Sequence, residues 1–347
     1  MSARSTLVLD IGSGTQDVLY FLPDREPENC PKFVLPAPAR QVGARIRRLT
    51  SEGRGIYLFG TNMGGGFHRD VMAHIQAGLP IAAHPEAAYS IADDLTALED
   101  KGVALSEICP RGYAAVRLAD YDAGYWSALL VAAGLDMPDE VMACAQDHGF
   151  HPGKSNRMGR FGLWRRFLLE AEGRPEALVY DHPPQELTRL AALQRSIGGG
   201  LVADSGAAAV LGALSDPEVA ERSRREGLCL INVGNSHTIA FLLFRERMWG
   251  VYEHHTGLLD EARIWSELNA FRRGELTFEA VFDGKGHGCM TLDLPAEARG
   301  FLPTVVLGPR RAMLSHHPVI MPAPGGDMML AGCFGLLKGR ELRGRSG

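Results

Sequence analysis

Residues 6–21 read TLVLDIGSGTQDVLYF. The branched apolar run at 6–11 predicts a buried strand. It carries Asp10 at its end, turns through Gly12-Ser-Gly-Thr15, and returns in a second apolar run, Val18–Leu22. Glycine lets backbone N–H groups approach an anion closely, and successive N–H groups in such a turn form a concavity for phosphate. Ser13 and Thr15 add hydroxyl donors, and Gly14 and Gln16 complete the loop. Asp10 is placed to hold Mg²⁺ through its waters. Alone, the stretch also reads as an ordinary hairpin with a glycine turn.

The same shape returns at residues 228–244, LCLINVGNSHTIAFLLF. Here the turn carries Asn232, Gly234, Asn235, Ser236, His237 and Thr238. Strand, glycine turn and strand, twice in one chain, read as a weak internal duplication. Two such turns are expected to face each other and clamp the β- and γ-phosphates of a nucleotide. His237 then either donates to a phosphate or merely sits on its hairpin.

Working outward, Phe33–Leu35 reads as a third strand, 38–52 as a helix with Val42, Ile46 and Leu49 on one face, and Ile56–Phe59 as a strand running into TNMGGG. A helix over about 68–77 and a strand near Ile81 follow. Three strands, a helix, a strand, a helix and a strand give a ribonuclease H-like order for the first half. Val141–Ala145 reads as a strand ending in Gln146-Asp-His-Gly149, and 201–214, LVADSGAAAVLGAL, as a short strand, a turn and a small-residue helix. In the second half, strands are expected at 228–233, 238–244, 248–253, 304–307 and 319–321, and a last helix over about 326–338. The expected division is an N-terminal unit at 1–200 with a large insertion and a C-terminal unit at 201–347. The fold class expected is α/β, two ribonuclease H-like domains around a nucleotide cleft.

Composition narrows the function. A net charge of −5 provides no basic field for nucleic acid. No apolar run approaches the ~20 residues of a membrane helix. The chain enters its first strand at once with no leader pattern, and its six cysteines are scattered, no two closer than 35 positions. Free thiols in a reducing cytoplasm are the expectation. An iron–sulfur cluster held by closely spaced cysteines is not expected within one chain.

The remaining polar residues leave choices open. Asp147 follows a strand, where a parallel sheet presents ligand groups, and reads as a general base or as a turn carboxylate bonding a backbone amide. Asp204, in ADSG, is the competing base or the N-cap of the helix it precedes. Gly325, Gly326 and Asp327 lie where the chain enters its last helix, a place for adenosine or phosphate to approach closely, or simply a glycine helix start. Lys154 and Arg157, with Asn156 beside them, supply cations for an anionic substrate or belong to a solvated loop. His254-His255 and His316-His317 are adjacent pairs whose members point to opposite faces of a strand, so neither pair is expected to chelate one ion.

These motifs carry a resemblance. DIGSGTQD and INVGNSHT resemble the two phosphate loops of the actin, hexokinase and heat-shock chaperone superfamily, and ADSGAAAVLGAL and PGGDMMLAGCFGLL resemble its two connecting helices. By that resemblance Val305-Val-Leu-Gly308 falls near the adenosine loop. TNMGGG, CAQDHGFHPGKSNRMGRF, EHHTGLLDEARIW, DGKGHG and GGDMMLAGCFGLLKG resemble, more closely, domain of unknown function family 1786, whose members are labelled pyruvate formate-lyase activating enzymes. The cysteine spacing does not fit the radical chemistry of that label. The superfamily's second loop starts with Asp where this chain has Asn232, so Mg²⁺ is expected to rest mainly on Asp10, with Asp204 as a second carboxylate. The resemblance implies ATP and Mg²⁺, and phosphoryl transfer to a small-molecule acceptor. The alternatives are an ATPase that couples closure to a partner protein, and a nucleotide sensor; a homodimer is allowed.

Overall fold

The computed structural model describes residues 4–153 and 155–346. The chain opens with three strands, β1 (Thr6–Ile11), β2 (Thr15–Phe21) and β3 (Lys32–Pro36). It then leaves to build a separate four-stranded parallel sheet from β4 (Ile56–Gly60), β5 (Ile81–Ala83), β6 (Val103–Leu105) and β7 (Ala114–Leu118). It returns with β8 (Glu140–Ala145), β9 (Val179–Tyr180) and β10 (Val202–Asp204). The first sheet has the order β3-β2-β1-β8-β10-β9, with β2 antiparallel to β1 and with β8 and β10 parallel to it.

This corrects the expectation at two points. β4 and β5, which local pattern assigned to the ribonuclease H-like order, pair with each other in the inserted sheet. The fourth and fifth strands of that order are β8 and β10 instead. Apolar runs announce strands, but which sheet a strand joins is decided by packing at long sequence range. Sheet pairing also crosses the 200/201 division, because β10 belongs to the first sheet.

The second unit comprises β11 (Leu228–Val233), β12 (His237–Phe244), β13 (Arg247–His255), β14 (Gly288–Thr291), β15 (Thr304–Leu307) and β16 (Val319–Ile320), in the order β14-β13-β12-β11-β15-β16. Its core, β13-β12-β11-β15-β16, repeats β3-β2-β1-β8-β10 in order and direction. The chain thus contains two ribonuclease H-like sheets, the architecture of the actin-like ATPases.

Alternation along the strands explains why both sheets are covered on both faces. Leu7, Leu9 and Ile11 pack with Trp126, Leu190 and Leu193, whereas Val8, Met142 and Cys144 pack with Leu211, Cys333 and Leu336. In the second sheet Leu230 and Phe241 meet Trp164, Phe167 and Val210, and Ile231 and Leu242 face Leu268 and Phe271.

Helices are exchanged between the halves. Helix Asn156–Glu170 comes from the first half but lays Trp164 and Phe167 on the second sheet. Helix Ala331–Ser346 comes from the end of the chain but packs on the first sheet, where Cys333 Sγ donates to Val8 O and Arg340 pairs with Glu140. That last helix starts at 331 and not at 326, because Gly325 and Gly326 adopt φ of +58° and +82°, outside helical space. It crosses helix Ser205–Ala213 at very close range. A Cβ on Gly335 would lie 1.8 Å from Ala208 O, and one on Gly212 would lie 1.9 Å from Ala331 O. No rotamer relieves a clash with backbone, so the helices would have to part. Gly335→Val is expected to destabilise the protein by about 1–3 kcal/mol, read by denaturant unfolding; an unchanged midpoint would refute the close crossing.

Candidate functional site

Both glycine turns close in the same way. Gly12 N–H donates to Thr15 O at 2.9 Å, and Gly234 N–H donates to His237 O at 3.0 Å. Asp10 and Asn232 therefore occupy matching positions, as do Thr15 and His237, and Asp17 and Ile239. The turns meet across one cleft of about 590 Å³. A Cβ on Gly14 would sit 2.4 Å from Asn235 Nδ2, so the two turns approach to within side-chain contact.

Asp10 and Asp17 are direct cross-strand partners on β1 and β2, on one face of the sheet, and both line the cleft. Burial, and Asp10 beside it, push Asp17 up to about 8, against a weak hydrogen bond from Thr15. Burial also pushes Asp10 up to about 6; Cys144 donates to it and opposes the shift, while Asp204 adds to it. Asp17 Oδ1 is buried without a hydrogen-bond partner. Two facing carboxylates, one with an orphaned oxygen, fit a hard divalent cation. Asp17 went unmarked in the sequence, although counting across the turn from Asp10 finds it.

The other predicted residues divide. Gly12, Ser13, Thr15, Asn232, Gly234, Asn235, Ser236, His237 and Gly308 line the cleft with Asp10 and Asp147. Gly308 follows β15 at φ +96°, where a Cβ would meet Asn232 Oδ1 at 2.4 Å. Gln16 and Thr238 face away from it: Gln16 bonds Pro36 O, and Thr238 bonds the Thr256 hydroxyl. Alternation along a strand sends each to the opposite face from its neighbours. Gly325 and Gly326 also lie off the cleft. Gly325 packs against the Phe334 ring and accepts from Lys32, and Asp327 bonds Met329 N–H. The last connecting segment reaches the cleft through Met328, Met329 and Gly332, and a Cβ on Gly332 would come within 2.1 Å of Asp10 Oδ2.

Both candidate bases have their oxygens engaged. Asp147 accepts from Gly149 N–H at 2.8 Å and Leu190 N–H at 3.0 Å. Asp204 caps its helix through Gly206 N–H at 2.8 Å and pairs with Arg160 at 2.6 Å, and it is not among the residues that line the cleft. Arg160 is the hub that sequence reading missed. It also donates to Asp147 O and to Glu253, and its guanidinium lies over the Trp164 ring. Glu253 is fully buried, accepting from Arg160, Trp164 and Gln146. Burial alone would push its pKa up, but the Arg160 guanidinium beside it holds the carboxyl well below the usual carboxylate range. Arg157 also lines the cleft, yet its guanidinium is committed to Phe282 O and Gly286 O. Lys154 lies outside the described residues.

Around the second turn stand His148, His237, His255 and His287, which the sequence placed far apart. His254, neighbour of His255, turns the other way, to Gly284 O and Arg263. His317 stacks on Trp265. Among the described residues no helix is long and apolar enough to cross a membrane.

Comparison with known proteins gives distant likenesses in structure. The chain is similar to the activator of the 2-hydroxyisocaproyl-CoA dehydratase from Clostridium difficile with bound ADPNP, at 10% identity over 99% of this chain and 97% of that one, with a TM-score of 0.35. It is similar to MreB 5 of Spiroplasma citri bound to AMPPNP, at 9% identity over 100% and 97%, with a TM-score of 0.34. An exopolyphosphatase-like protein matches at 10% identity over 98% and 88%, with a TM-score of 0.29. At such distances the fold rests on the strand order of the two sheets. No curated protein matches the chain in sequence. A family model does, over residues 63–313, and the chain belongs to the family described as "Putative pyruvate format-lyase activating enzyme (DUF1786)".

Proposed function

We propose that this protein binds a nucleoside triphosphate, ATP, in the cleft between its two sheets, with the phosphates between the two glycine turns. The observation that carries this is the approach of Gly14 to Asn235 from opposite halves over a common cleft. Asp10 and Asp17 would hold Mg²⁺, which neutralises phosphate charge when bound. Backbone N–H groups of the turns and the hydroxyls of Ser13, Thr15 and Ser236 would hold phosphate oxygens. The cleft continues past the turns to Asn62, Gly64, Asp93 and Asn156, space for a small polar acceptor of the phosphoryl group.

A second reading has its own support. Both oxygens of Asp147 and of Asp204 already accept hydrogen bonds within the fold, and Asn232 cannot act as a base. These facts favour an ATPase that couples closure to a partner protein. ATP turnover measured alone, with a panel of hydroxylated metabolites, and with co-purifying proteins separates the two. Stimulation by a metabolite supports transfer, and stimulation by a protein supports coupling.

Asp10→Asn tests the site itself. It removes one of two facing carboxylates, and charge-assisted interactions contribute ~1.5–3 kcal/mol, so Mg·ATP affinity should fall by about 10–100-fold. Calorimetric titration with and without Mg²⁺ reads this. Equal Mg·ATP affinity in the variant and wild type would remove Asp10 from the site.

A further inference from the structure

We propose that His148, His237 and His287 form a binding site for one borderline transition-metal dication, of the zinc or ferrous class, beside the second glycine turn. The site is separate from the carboxylate pair that faces Mg²⁺.

Three elements bring the imidazoles together. His148 follows β8 in the first unit, His237 opens β12, and His287 immediately precedes β14. One ring nitrogen from each lies within 4.8 Å of the other two. A tetrahedral zinc site with nitrogen ligands has edges of about 3.4 Å, so a modest contraction closes the three on an ion. Small side-chain rotations supply this, since the rings tilt against one another at centroid distances of 5.1–5.5 Å.

The unmet bonding capacity points the same way. His237 Nε2 and His287 Nδ1 are buried with no hydrogen-bond partner. Leaving such atoms unpaired is costly, and ion coordination is the bond that three converging acceptor nitrogens can share. The other nitrogen of His237, Nδ1, lies 3.0 Å from the Ser236 hydroxyl, the kind of outer contact that fixes a ligand ring. Glu253 sets a negative charge near all three rings, set against the guanidinium groups of Arg160 and Arg157.

Donor type chooses the ion. Imidazole nitrogen suits zinc, iron, copper and nickel, whereas Mg²⁺ prefers oxygen. All three residues line the cleft. Three protein ligands leave a further coordination position for water or an oxyanion. The ion would join the two halves, because His148 comes from one and His237 and His287 from the other.

The test uses the full chain, stripped with a chelator and free of nucleotide. Titration with Co²⁺ should give one equivalent per chain, with visible d–d bands that Zn²⁺ abolishes. X-ray absorption on the zinc-loaded wild type should show a first shell of nitrogen from imidazole. His148→Ala and His287→Ala should each weaken binding by more than about 100-fold, beyond the loss seen for outer-shell partners. Circular dichroism checks their folding. The His316→Ala/His317→Ala double variant, remote from the cluster, should bind as wild type. No one-equivalent cobalt site in the wild type, or a sulfur first shell, overturns the proposal. So does unchanged affinity in folded His148→Ala and His287→Ala.

Discussion

Arg160→Leu should lower unfolding stability by about 3–5 kcal/mol, the usual cost of removing one partner from a buried ion pair. Arg160 is 3% exposed, and the carboxylates it serves, Asp204 and Glu253, are 4% and 0% exposed. Its contacts at 2.6 Å to Asp204, 2.8 Å to Asp147 O and 3.2 Å to Glu253 satisfy acceptors on buried residues. Without it two negative charges stay buried with only neutral donors. Leucine retains part of the side-chain bulk, so the loss reports charge more than cavity. The hub also spans the halves, since Asp147 and Asp204 belong to the first sheet's strand ends and Glu253 to β13 of the second. Hence the variant should also loosen closure and raise the protease sensitivity of the cleft. Adding Glu253→Gln to Arg160→Leu should recover part of the loss, because it removes the stranded charge. Denaturant unfolding of the single and double variants checks both points. A loss below about 1 kcal/mol, within the range of an exposed pair, would overturn this account.

The sequence made the two hairpins legible because everything that defines them is local. Gly12 and Gly234, the apolar runs on either side and the polar turn residues all lie within one short window. The small-residue helix at 206–213 was legible for the same reason. The roles of Asp147 and Asp204 were half visible. Each is Asp-x-Gly, and each carboxylate accepts from the N–H two residues on. That is the Asx-turn habit of aspartate, a signal for the capping reading over the base. Sheet membership was not legible: β4 and β5 look locally like any buried strand. Nor was the histidine cluster. His148, His237 and His287 are each at least 50 positions apart and meet only once both sheets stand side by side. Arg160 was hidden for a related reason, since its helix starts in one half and packs on the other.

Asp17→Asn should stabilise the metal-free protein, and the gain should grow between about pH 4 and pH 8. In the fold, burial and the facing Asp10 push Asp17 up to about 8, against about 3.9 in an unfolded chain. The native state therefore keeps a proton that the unfolded state has released. Below the unfolded value both states are protonated and nothing is lost; as the pH rises toward 8 the wild type forfeits stability. The charged groups around Asp17 explain why the weak hydrogen bond from Thr15 does not offset the shift. Asp10 lies opposite and Asp327 approaches from the last segment, both negative, while Cys333 of the closing helix bonds the Asp17 carbonyl and not its carboxylate. Asparagine mimics the neutral form at every pH. Its advantage over wild type should thus be a few kcal/mol larger at pH 9 than at pH 4. Mg²⁺ should reverse the ranking: at pH 9 it should raise the melting temperature of the wild type, whose carboxylate pair it satisfies, and leave Asp17→Asn nearly unmoved. Thermal melts at both pH values, with and without the ion, measure all four corners. A constant difference between variant and wild type across pH would show that Asp17 is ionised in the fold. An equal response to Mg²⁺ would take Asp17 out of the cation site and leave Asp10 to hold it alone.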